Sequence, residues 1–340
     1  MKKAYCFDDV LLIPSYSDIE SRSEVYLDSE LSPQLKFKLP VISSPMDTVS
    51  ETSMAIAMHA AGGLGIIHRY NTIQEQAAAV QKCYYAGANN IGAAIGMTGD
   101  YLERARELAL AGANILCIDV AHGHHAMMKI AIKQLKREFA NDIHIMAGNV
   151  ATLESLNDLA QWGADSIRVG IGGGSICSTR LVTGHGLPTF QSILECVRTN
   201  YDVKIIADGG VKTTGDMVKA LAAGADFVMV GSMLAGTKQT PGEVFLGKAG
   251  KKYKVYRGMA SAAAQNAWRG KSSTPEGVST TIPYRGDVED ILHDIAGGLR
   301  SGLSYSGSRS LEEFRCKANF VLQTGSSQVE SGTHILRRNK

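Results

Sequence analysis

Short apolar runs recur along the chain, and each is followed by a stretch rich in Ala, Leu, Lys and Glu that favours helix. The runs contain many β-branched residues and end in Gly, Asp, Asn or Ser. Nearly continuous apolar character is typical of parallel strands that are buried on both faces. Eight such runs occur: Leu39–Ser44, Leu64–His68, Asn90–Ile95, Ile115–Val120, Ile143–Ala147, Ser166–Val169, Lys204–Ala207 and Phe227–Val230.

The alternation of strands and helices implies parallel pairing through right-handed crossovers, and eight successive units are the number that closes a barrel. The sequence therefore predicts an α/β fold, a (β/α)8 TIM barrel, with an open doubly wound sheet as the alternative. Helix signals support this register, because the stretches 72–81 and 100–110 begin with the capping residues Thr72 and Asp100.

One segment, residues 237–283, interrupts the alternation. It is too long for a simple loop and too polar and glycine-rich for a core element, as is typical of a mobile lid. Residues 248–256 alternate like a hairpin that turns at Gly250. We expect a finger or flap excursion within a single catalytic domain spanning residues 1–340, followed by a C-terminal tail.

Composition excludes several classes of function. The chain of 340 residues has 35 basic and 33 acidic residues, so no global field favours nucleic acid or an anionic membrane. No run reaches the roughly 18 apolar residues of a membrane span, and no secretory signal is present, so we expect a cytoplasmic protein. The six cysteines lack C-x-x-C spacing, which argues against zinc and disulfides. Five of them are expected to be small core residues.

The sixth, Cys177, is the strongest chemical signal. It lies in the glycine-rich loop 170–180, among free N–H groups and hydroxyls that suit both a nucleophile and a bound anion. We expect the nearby Arg168 and Arg180 to favour the thiolate, the form in which cysteine attacks. A glycine-rich turn around an inert thiol is the alternative interpretation.

Polar residues at strand ends should converge on the active-site face of a barrel. The glycines after the seventh and eighth strands stand where backbone amides commonly hold phosphate, so a phosphorylated ligand is predicted. Glu276, in the lid, would exchange protons in a closed site, although a solvated surface carboxylate is the ordinary alternative. The converging residues are Ser44, Met46, Asp47, Asp119, Asn149, residues 170–177, Asp208, Gly209, Gly210, Gly231 and Ser232.

Several motifs together resemble one family over nearly the whole chain, the IMP dehydrogenase/GMP reductase family of purine-nucleotide oxidoreductases. They are the segments 7–12 (FDDVLL), 43–49 (SSPMDTV), 147–150 (AGNV), 207–210 (ADGG), 256–259 (YRGM) and the Cys177 loop. The resemblance implies a barrel that binds GMP or IMP, with Cys177 attacking purine C2 to form a thioimidate that exchanges hydride with a nicotinamide.

The resemblance also implies roles for individual residues. The phosphate would meet Ser175, Gly210, Gly231, Ser232 and Tyr256, the ribose Asp208, and the base Ser44, Met46, Gly258 and Met259. The cofactor side would include Asp119, Asn149 and Gly170. A monovalent cation, K⁺, would lie on carbonyls near Gly172, Gly174 and Cys177, completed by Glu330, Ser331 and Gly332 of a neighbouring subunit in a homotetramer.

Two absences favour a reductase. The stretch 72–81 runs almost directly into the strand at 90, leaving no room for a regulatory insertion, and the flap holds Trp268-Arg269-Gly270 instead of the Arg-Tyr pair that activates water in dehydrogenases. We therefore predict a GMP reductase that converts GMP and NADPH to IMP, ammonia and NADP, with Thr179 and Glu276 as proton relay. The alternative is an IMP dehydrogenase without regulatory domain, which converts IMP, NAD and water to XMP and NADH, with Arg269 as base.

Two other classes compete with this interpretation. Cys177 could pair with His122, His124 or His185 in a hydrolase, and His122-x-His124 also resembles half a metal site, although no matching carboxylate spacing supports it. A nucleotide sensor without catalysis could use the same barrel. The presence of Cys177, Thr179 and Glu276 argues against the sensor.

Overall fold

The computed structural model describes residues 3–247 and 250–333. Within them the strands are β1 Val10–Leu12, β2 Ser29–Ser32, β3 Leu35–Phe37, β4 Val41–Ser43, β5 Leu64–Ile67, β6 Gly92–Ile95, β7 Ile115–Asp119, β8 His144–Val150, β9 Ser166–Val169, β10 Lys204–Asp208, β11 Phe227–Val230, β12 Phe245–Leu246, β13 Lys252–Arg257, β14 Ser279–Pro283 and β15 Phe320–Leu322. The helices are α1 Thr52–Ala60, α2 Ile73–Tyr85, α3 Tyr101–Leu110, α4 Ala126–Phe139, α5 Leu153–Trp162, α6 Thr179–Thr183, α7 Thr189–Cys196, α8 Thr214–Ala222, α9 Ala262–Arg269, α10 Val288–Ser304, α11 Leu311–Lys317 and α12 Gly325–Glu330.

Eight parallel strands form a closed barrel, in the order β4 to β11, with β11 pairing back to β4. Each barrel strand overlaps one of the eight predicted runs. The (β/α)8 prediction is therefore confirmed, and the open doubly wound sheet is excluded. The prediction succeeds because both faces of these strands are buried, so the local apolar signal is strong.

Alternate strand residues fill the barrel interior, while their neighbours pack outward against the helices. The interior cluster includes Ile42, Leu64, Cys117, Ile206 and Met229. The hairpin formed by β2 and β3 closes the N-terminal end, where the rings of Phe37 and Phe227 meet edge to face, 5.4 Å between centroids. Because this end is plugged by apolar side chains, a ligand site is expected at the opposite, C-terminal end.

Helix starts follow their capping signals. The Thr72 side chain accepts a hydrogen bond from the Glu75 N–H, and α2 continues to Tyr85, beyond the predicted end at 81, because Cys83 still packs in the outer core. At α3 the Asp100 carboxylate instead binds Arg104, 2.7 Å away. Among residues 3–247 and 250–333, the helices are all too short or too polar to cross a membrane.

Residues 237–283 form a folded unit, referred to below as the lid. Its core is a three-stranded antiparallel sheet, β12–β13–β14, with α9 between the last two strands. The predicted hairpin turn falls at Gly250, while Lys248 and Ala249 lie outside the described residues. The expectation that no part of this segment is core is wrong, because Lys254, Tyr256 and Ala264 are buried.

The five cysteines expected in the core divide into two groups. Cys83, Cys117 and Cys196 are buried, and burial raises the pKa of the Cys83 thiol to about 11. The expectation is wrong for Cys316, which is exposed on α11, and only partly right for Cys6, which is half-buried.

Candidate functional site

A cavity of about 530 Å³ opens at the C-terminal ends of the barrel strands. Its size is that of an ordinary small-ligand site. It brings together most of the residues singled out in the sequence, among them Ser44, Met46, Asp119, Asn149, Gly170, Gly172, Gly174, Ser175, Cys177, Thr179, Asp208, Gly210, Gly231, Ser232, Tyr256, Gly258, Met259 and Glu276.

The cysteine loop lies directly under the lid. Cys177 is exposed to the cavity, and its thiol donates a hydrogen bond to Thr179 Oγ1 at 3.2 Å. The Ser178 N–H donates to the Glu276 carbonyl at 2.9 Å, and the Val278 N–H donates to the Ile176 carbonyl at 3.0 Å. This short backbone ladder holds Glu276 beside the thiol, although the two residues are far apart in sequence.

The two arginines near the cysteine in sequence do not face its thiol. The Arg180 guanidinium donates to the carbonyls of Leu187, at 2.8 Å, and Ile171, at 3.5 Å. Arg168 is bound by carboxylates inside the barrel. The expectation that these charges favour the thiolate is therefore not supported, and the polar neighbour that the structure assigns to the thiol is Thr179.

Hydroxyl groups gather on one side of the cavity. Ser175 Oγ lies 3.3 Å from Tyr256 Oη. Burial raises the pKa of the Tyr256 phenol, opposed by hydrogen bonds with Ser175 and Ser232, so the phenol stays protonated and can donate to an anion. Gly231 keeps this space open, because a Cβ there would lie 3.0 Å from Met46 Sδ and 3.3 Å from Tyr256 Oη.

A buried network lies beneath the centre of the cavity, and its hub is Arg168, which was expected to act on Cys177 instead. Arg168, only 5% exposed, donates to Asp119 Oδ1 at 2.5 Å and to Asp208 Oδ2 at 2.8 Å. Asn149 Nδ2 also donates to Asp208 Oδ2, and to the Gly170 carbonyl, both at 2.8 Å. The available signal was an arginine inside an otherwise apolar barrel strand.

An ion pair joins the lid to the barrel beside the cavity. Asp47 Oδ2 accepts hydrogen bonds from Arg257 Nε at 2.9 Å and Nη2 at 2.6 Å, and the Arg257 N–H donates to Thr48 Oγ1. Asp47 was predicted to converge on the active-site face. It does not line the cavity and instead anchors β13, the strand that carries Tyr256.

The outer part of the lid is attached by an aromatic stack that the sequence did not reveal. Trp268 on α9 stacks on Tyr70, with 6.0 Å between ring centroids and 17° between planes. Arg69 lies over the same Tyr70 ring, 5.6 Å from its centroid, and donates to the Asp119 carbonyl at 3.0 Å. The stack therefore joins α9 to the Asp119 side of the cavity.

The predicted tail residues lie elsewhere in the chain. Ser331 Oγ donates to the Ser327 carbonyl at 3.0 Å, next to β15, and Glu330, Ser331 and Gly332 do not line the cavity. Their expected contact with the cysteine loop involves a neighbouring subunit and stays a prediction.

Two of the three histidines considered for a hydrolase, His124 and His185, are bonded elsewhere. His124 pairs with Asp158 at 2.8 Å, and His185 Nδ1 lies 2.8 Å from the Thr183 carbonyl. In the described part of the chain, Cys177 makes no hydrogen bond with any histidine, and no group of three His, Cys, Asp or Glu residues could hold a metal ion. The hydrolase and metal interpretations therefore gain no support.

Known proteins resemble this chain along its length. Residues 4–334 match the model of the IMP dehydrogenase / GMP reductase domain. An inosine-5′-monophosphate dehydrogenase from Nitrosopumilus maritimus is 34% identical, covering 98% of both chains, and a GMP reductase from Leishmania major is 32% identical, covering 98% of this chain and 97% of the relative. A crystal structure of a cysteine-to-alanine variant of GMP reductase from Trypanosoma brucei, in complex with guanosine 5′-monophosphate, has a TM-score of 0.93 at 30% identity and covers 98% of both chains.

These matches confirm the resemblance seen in the sequence motifs. They include relatives of both names at similar identity, so they do not separate the two activities. The two alignments extend over 470 and 477 positions, more than the 340 residues of this chain, so both relatives contain residues that this chain lacks.

Proposed function

Because the chain belongs to the IMP dehydrogenase/GMP reductase family, and is thus an oxidoreductase, we propose that it is a GMP reductase. The reaction would convert GMP and NADPH to IMP, ammonia and NADP through a covalent intermediate on Cys177. One observation carries this proposal: Glu276, whose carbonyl accepts a hydrogen bond from the Ser178 N–H, lines the cavity together with Cys177 and Thr179. Arg269, the base that a dehydrogenase would need, is exposed and does not line it.

In the first step the Cys177 sulfur, as thiolate, adds to C2 of GMP. Glu276 supplies a proton through Thr179 to the exocyclic amine, which leaves as ammonia, so a C–S bond replaces the C–N bond. The 3.2 Å contact between the thiol and Thr179 Oγ1, and the ladder that holds Glu276 beside them, support this relay.

A nicotinamide cofactor would supply the hydride that adds to C2 and expels the thiolate as IMP forms. The residues proposed to hold it, Asp119, Asn149 and Gly170, fit such a group because they line one side of the cavity. The Arg168 network uses both Nδ2 bonds of Asn149 and one oxygen of Asp119, so Asn149 Oδ1 and Asp119 Oδ2 stay available to a ligand.

The remaining cavity residues would hold the nucleotide and the cation. The hydroxyls of Ser175, Ser232 and Tyr256, with the backbone at Gly210 and Gly231, suit a phosphate, and Asp208 suits the ribose hydroxyls. Ser44, Met46, Gly258 and Met259 would hold the base. We also propose K⁺ on the carbonyls of Gly172, Gly174 and Cys177, completed by Glu330, Ser331 and Gly332 of a neighbouring subunit in a homotetramer.

We propose further that residues 1–340 form one catalytic domain without a regulatory insertion. The close succession of α2, which ends at Tyr85, and β6, which begins at Gly92, supports this organisation. The extra positions in the alignments with longer relatives support it as well.

IMP dehydrogenase is the second candidate, because several relatives at 34% to 37% identity carry that name. It would require a base that activates water, with Arg269 as the candidate. The exposure of Arg269 and of the residues that follow it, 270–275, favours the reductase.

The test is to incubate the protein with GMP plus NADPH, and separately with IMP plus NAD, following nicotinamide absorbance with and without potassium. Oxidation of NADPH with release of ammonia, lost in Cys177→Ala, is the expected result. Reduction of NAD with formation of XMP would instead establish the dehydrogenase. Binding of GMP without turnover in either mixture would establish a sensor.

A further inference from the structure

The carboxylates of Asp119 and Asp208 both face the cavity and share one buried partner, Arg168. We infer that Arg168 is a positioning residue that fixes where these two carboxylates lie relative to each other. The inference rests on the proposed function, in which Asp208 meets the nucleotide ribose and Asp119 the cofactor. Arg168 itself would act through these side chains.

Strand geometry explains how one side chain reaches both carboxylates. Ile167 and Val169 pack outward in the outer core, so alternation turns Arg168 into the barrel. In the strand register Arg168 lies level with Ile206 of β10 on one side and with Gly148 of β8 on the other. Asp208 follows Ile206 by two residues and therefore projects to the same interior face, one layer higher.

Gly148 opens the path to the second carboxylate. Asp119 lies on β7, which is separated from β9 by β8, and is level with Gly148. A Cβ on Gly148 would lie only 2.6 Å from Arg168 Cβ. Because this strand position carries no side chain, the guanidinium crosses β8 and binds Asp119 Oδ1.

The hydrogen bonds divide each carboxylate into a held and a free oxygen. Arg168 Nε and Nη2 and Asn149 Nδ2 all donate to Asp208 Oδ2, while Arg168 Nη1 donates to Asp119 Oδ1. Within residues 3–247 and 250–333, Asp208 Oδ1 and Asp119 Oδ2 accept no hydrogen bond. Each carboxylate thus keeps one oxygen for a ligand, and the guanidinium fixes where both oxygens point.

The charge balance adds a second reason for this arrangement. The side chains of Asp119 and Asp208 are 18% and 13% exposed, so two negative groups would face each other in a poorly hydrated space without the guanidinium. Removing one partner of a buried ion pair leaves the other uncompensated. Loss of Arg168 should therefore displace both carboxylates, and misplacement of a binding group by 1 Å can cost about 100-fold.

The experiment compares Arg168→Met with Asp208→Asn, Asp119→Asn and the double variant Arg168→Met/Asp208→Asn. We expect Asp208→Asn to raise the KM for GMP, Asp119→Asn to raise that for NADPH, and Arg168→Met to raise both at least about tenfold. If Arg168 acts through Asp208, Arg168→Met should not raise the KM for GMP further in the Asp208→Asn background. An unchanged pair of KM values in folded Arg168→Met, or additive effects in the double variant, would overturn the inference.

Two further variants separate positioning from stability. Lys136→Met removes an ion pair with Asp165, 2.7 Å long and remote from the cavity, so it should lower the melting temperature and leave both KM values unchanged. Arg168→Lys keeps the positive charge but loses the planar guanidinium that binds both carboxylates at once. It should therefore restore the KM for one of the two substrates and not for the other. If Arg168→Met does not fold, Arg168→Lys decides alone, and two unchanged KM values refute the inference.

Calorimetric measurement of GMP binding in the absence of cofactor tests the inference without requiring turnover. Wild-type protein that binds GMP but catalyses neither reaction would refute the proposed function. The inference would then stand if Arg168→Met weakened this binding at least about tenfold and Lys136→Met did not. Equal affinity of the wild type and Arg168→Met would overturn it.

Discussion

Replacement of Trp268 by Ala should open the lid, because the stack with Tyr70 is its outermost attachment to the barrel. An aromatic pair contributes about 0.5–1.5 kcal/mol beyond the area it buries, so the ratio of closed to open lid should fall roughly 2- to 12-fold. The attachments at Asp47 and at the cysteine loop are untouched, so the fold should persist.

An open lid should change the products of the reaction as well as its rate. In the proposed reaction the covalent intermediate on Cys177 would survive only while water is kept out, and closing lids perform this exclusion. In Trp268→Ala, water should therefore hydrolyse part of the thioimidate to XMP without consuming NADPH. The ratio of ammonia released to NADPH oxidised should be near one in the wild type and rise in the variant.

The assay pairs this ratio with a direct report on the lid. The chain has two tryptophans, and replacing Trp162 by Phe leaves Trp268 as the sole tryptophan, whose quenching by iodide should decrease when GMP binds. Trp268→Phe keeps a stacked ring and serves as the control, with a ratio close to the wild-type value. A ratio of one in a Trp268→Ala variant that still oxidises NADPH would refute the assignment of water exclusion to the stack.

Three other outcomes are expected. Cys177→Ser should abolish turnover while GMP affinity, measured by calorimetry, changes little, because an unactivated hydroxyl is a far weaker nucleophile than a thiolate. Gly231→Ala should raise the KM for GMP about tenfold with an unchanged melting temperature, because its Cβ would lie 3.0 Å from Met46 Sδ in the cavity. Burial lowers the pKa of His144 to about 4, so the unfolded chain takes up this proton first and stability should fall as pH decreases from 6.5 to 4, by about 3 kcal/mol in total. Denaturant titrations at several pH values should show that the free energy of unfolding falls less steeply between pH 6.5 and 4 in His144→Gln than in the wild type.

The barrel could be predicted from the sequence because its signals are local. Eight apolar runs stand out one by one, and closure follows from their number. The position of the cavity could then be predicted as well, because the C-terminal ends of the strands in a parallel barrel meet at one face. Residues such as Asp119, Asn149 and Asp208 were therefore found without knowledge of any contact between them.

The connections between these residues could not be predicted, because they join positions that no local pattern relates. Arg257 is 210 residues from Asp47 along the chain. Arg168 is 49 residues from Asp119 and 40 residues from Asp208. The lid was misread for a similar reason. Most residues of β14 are exposed and β12 has only two residues, so the composition of the lid resembles that of a loop.

The attachments of the lid differ in kind, and this difference locates the movable part. The Asp47–Arg257 ion pair and the backbone ladder between residues 176–178 and 276–278 both act next to the cysteine loop, where several hydrogen bonds would have to break together. The other end, at α9, meets the barrel at the half-buried aromatic stack of Trp268 on Tyr70. Because the cost of opening is lowest there, the lid should open at α9 while Glu276 stays beside Cys177. A lid that opens in this way admits water on the Asp119 side of the cavity without removing the proton relay. Access of water at α9, and not the state of the relay, would then decide whether the intermediate is reduced to IMP or hydrolysed to XMP.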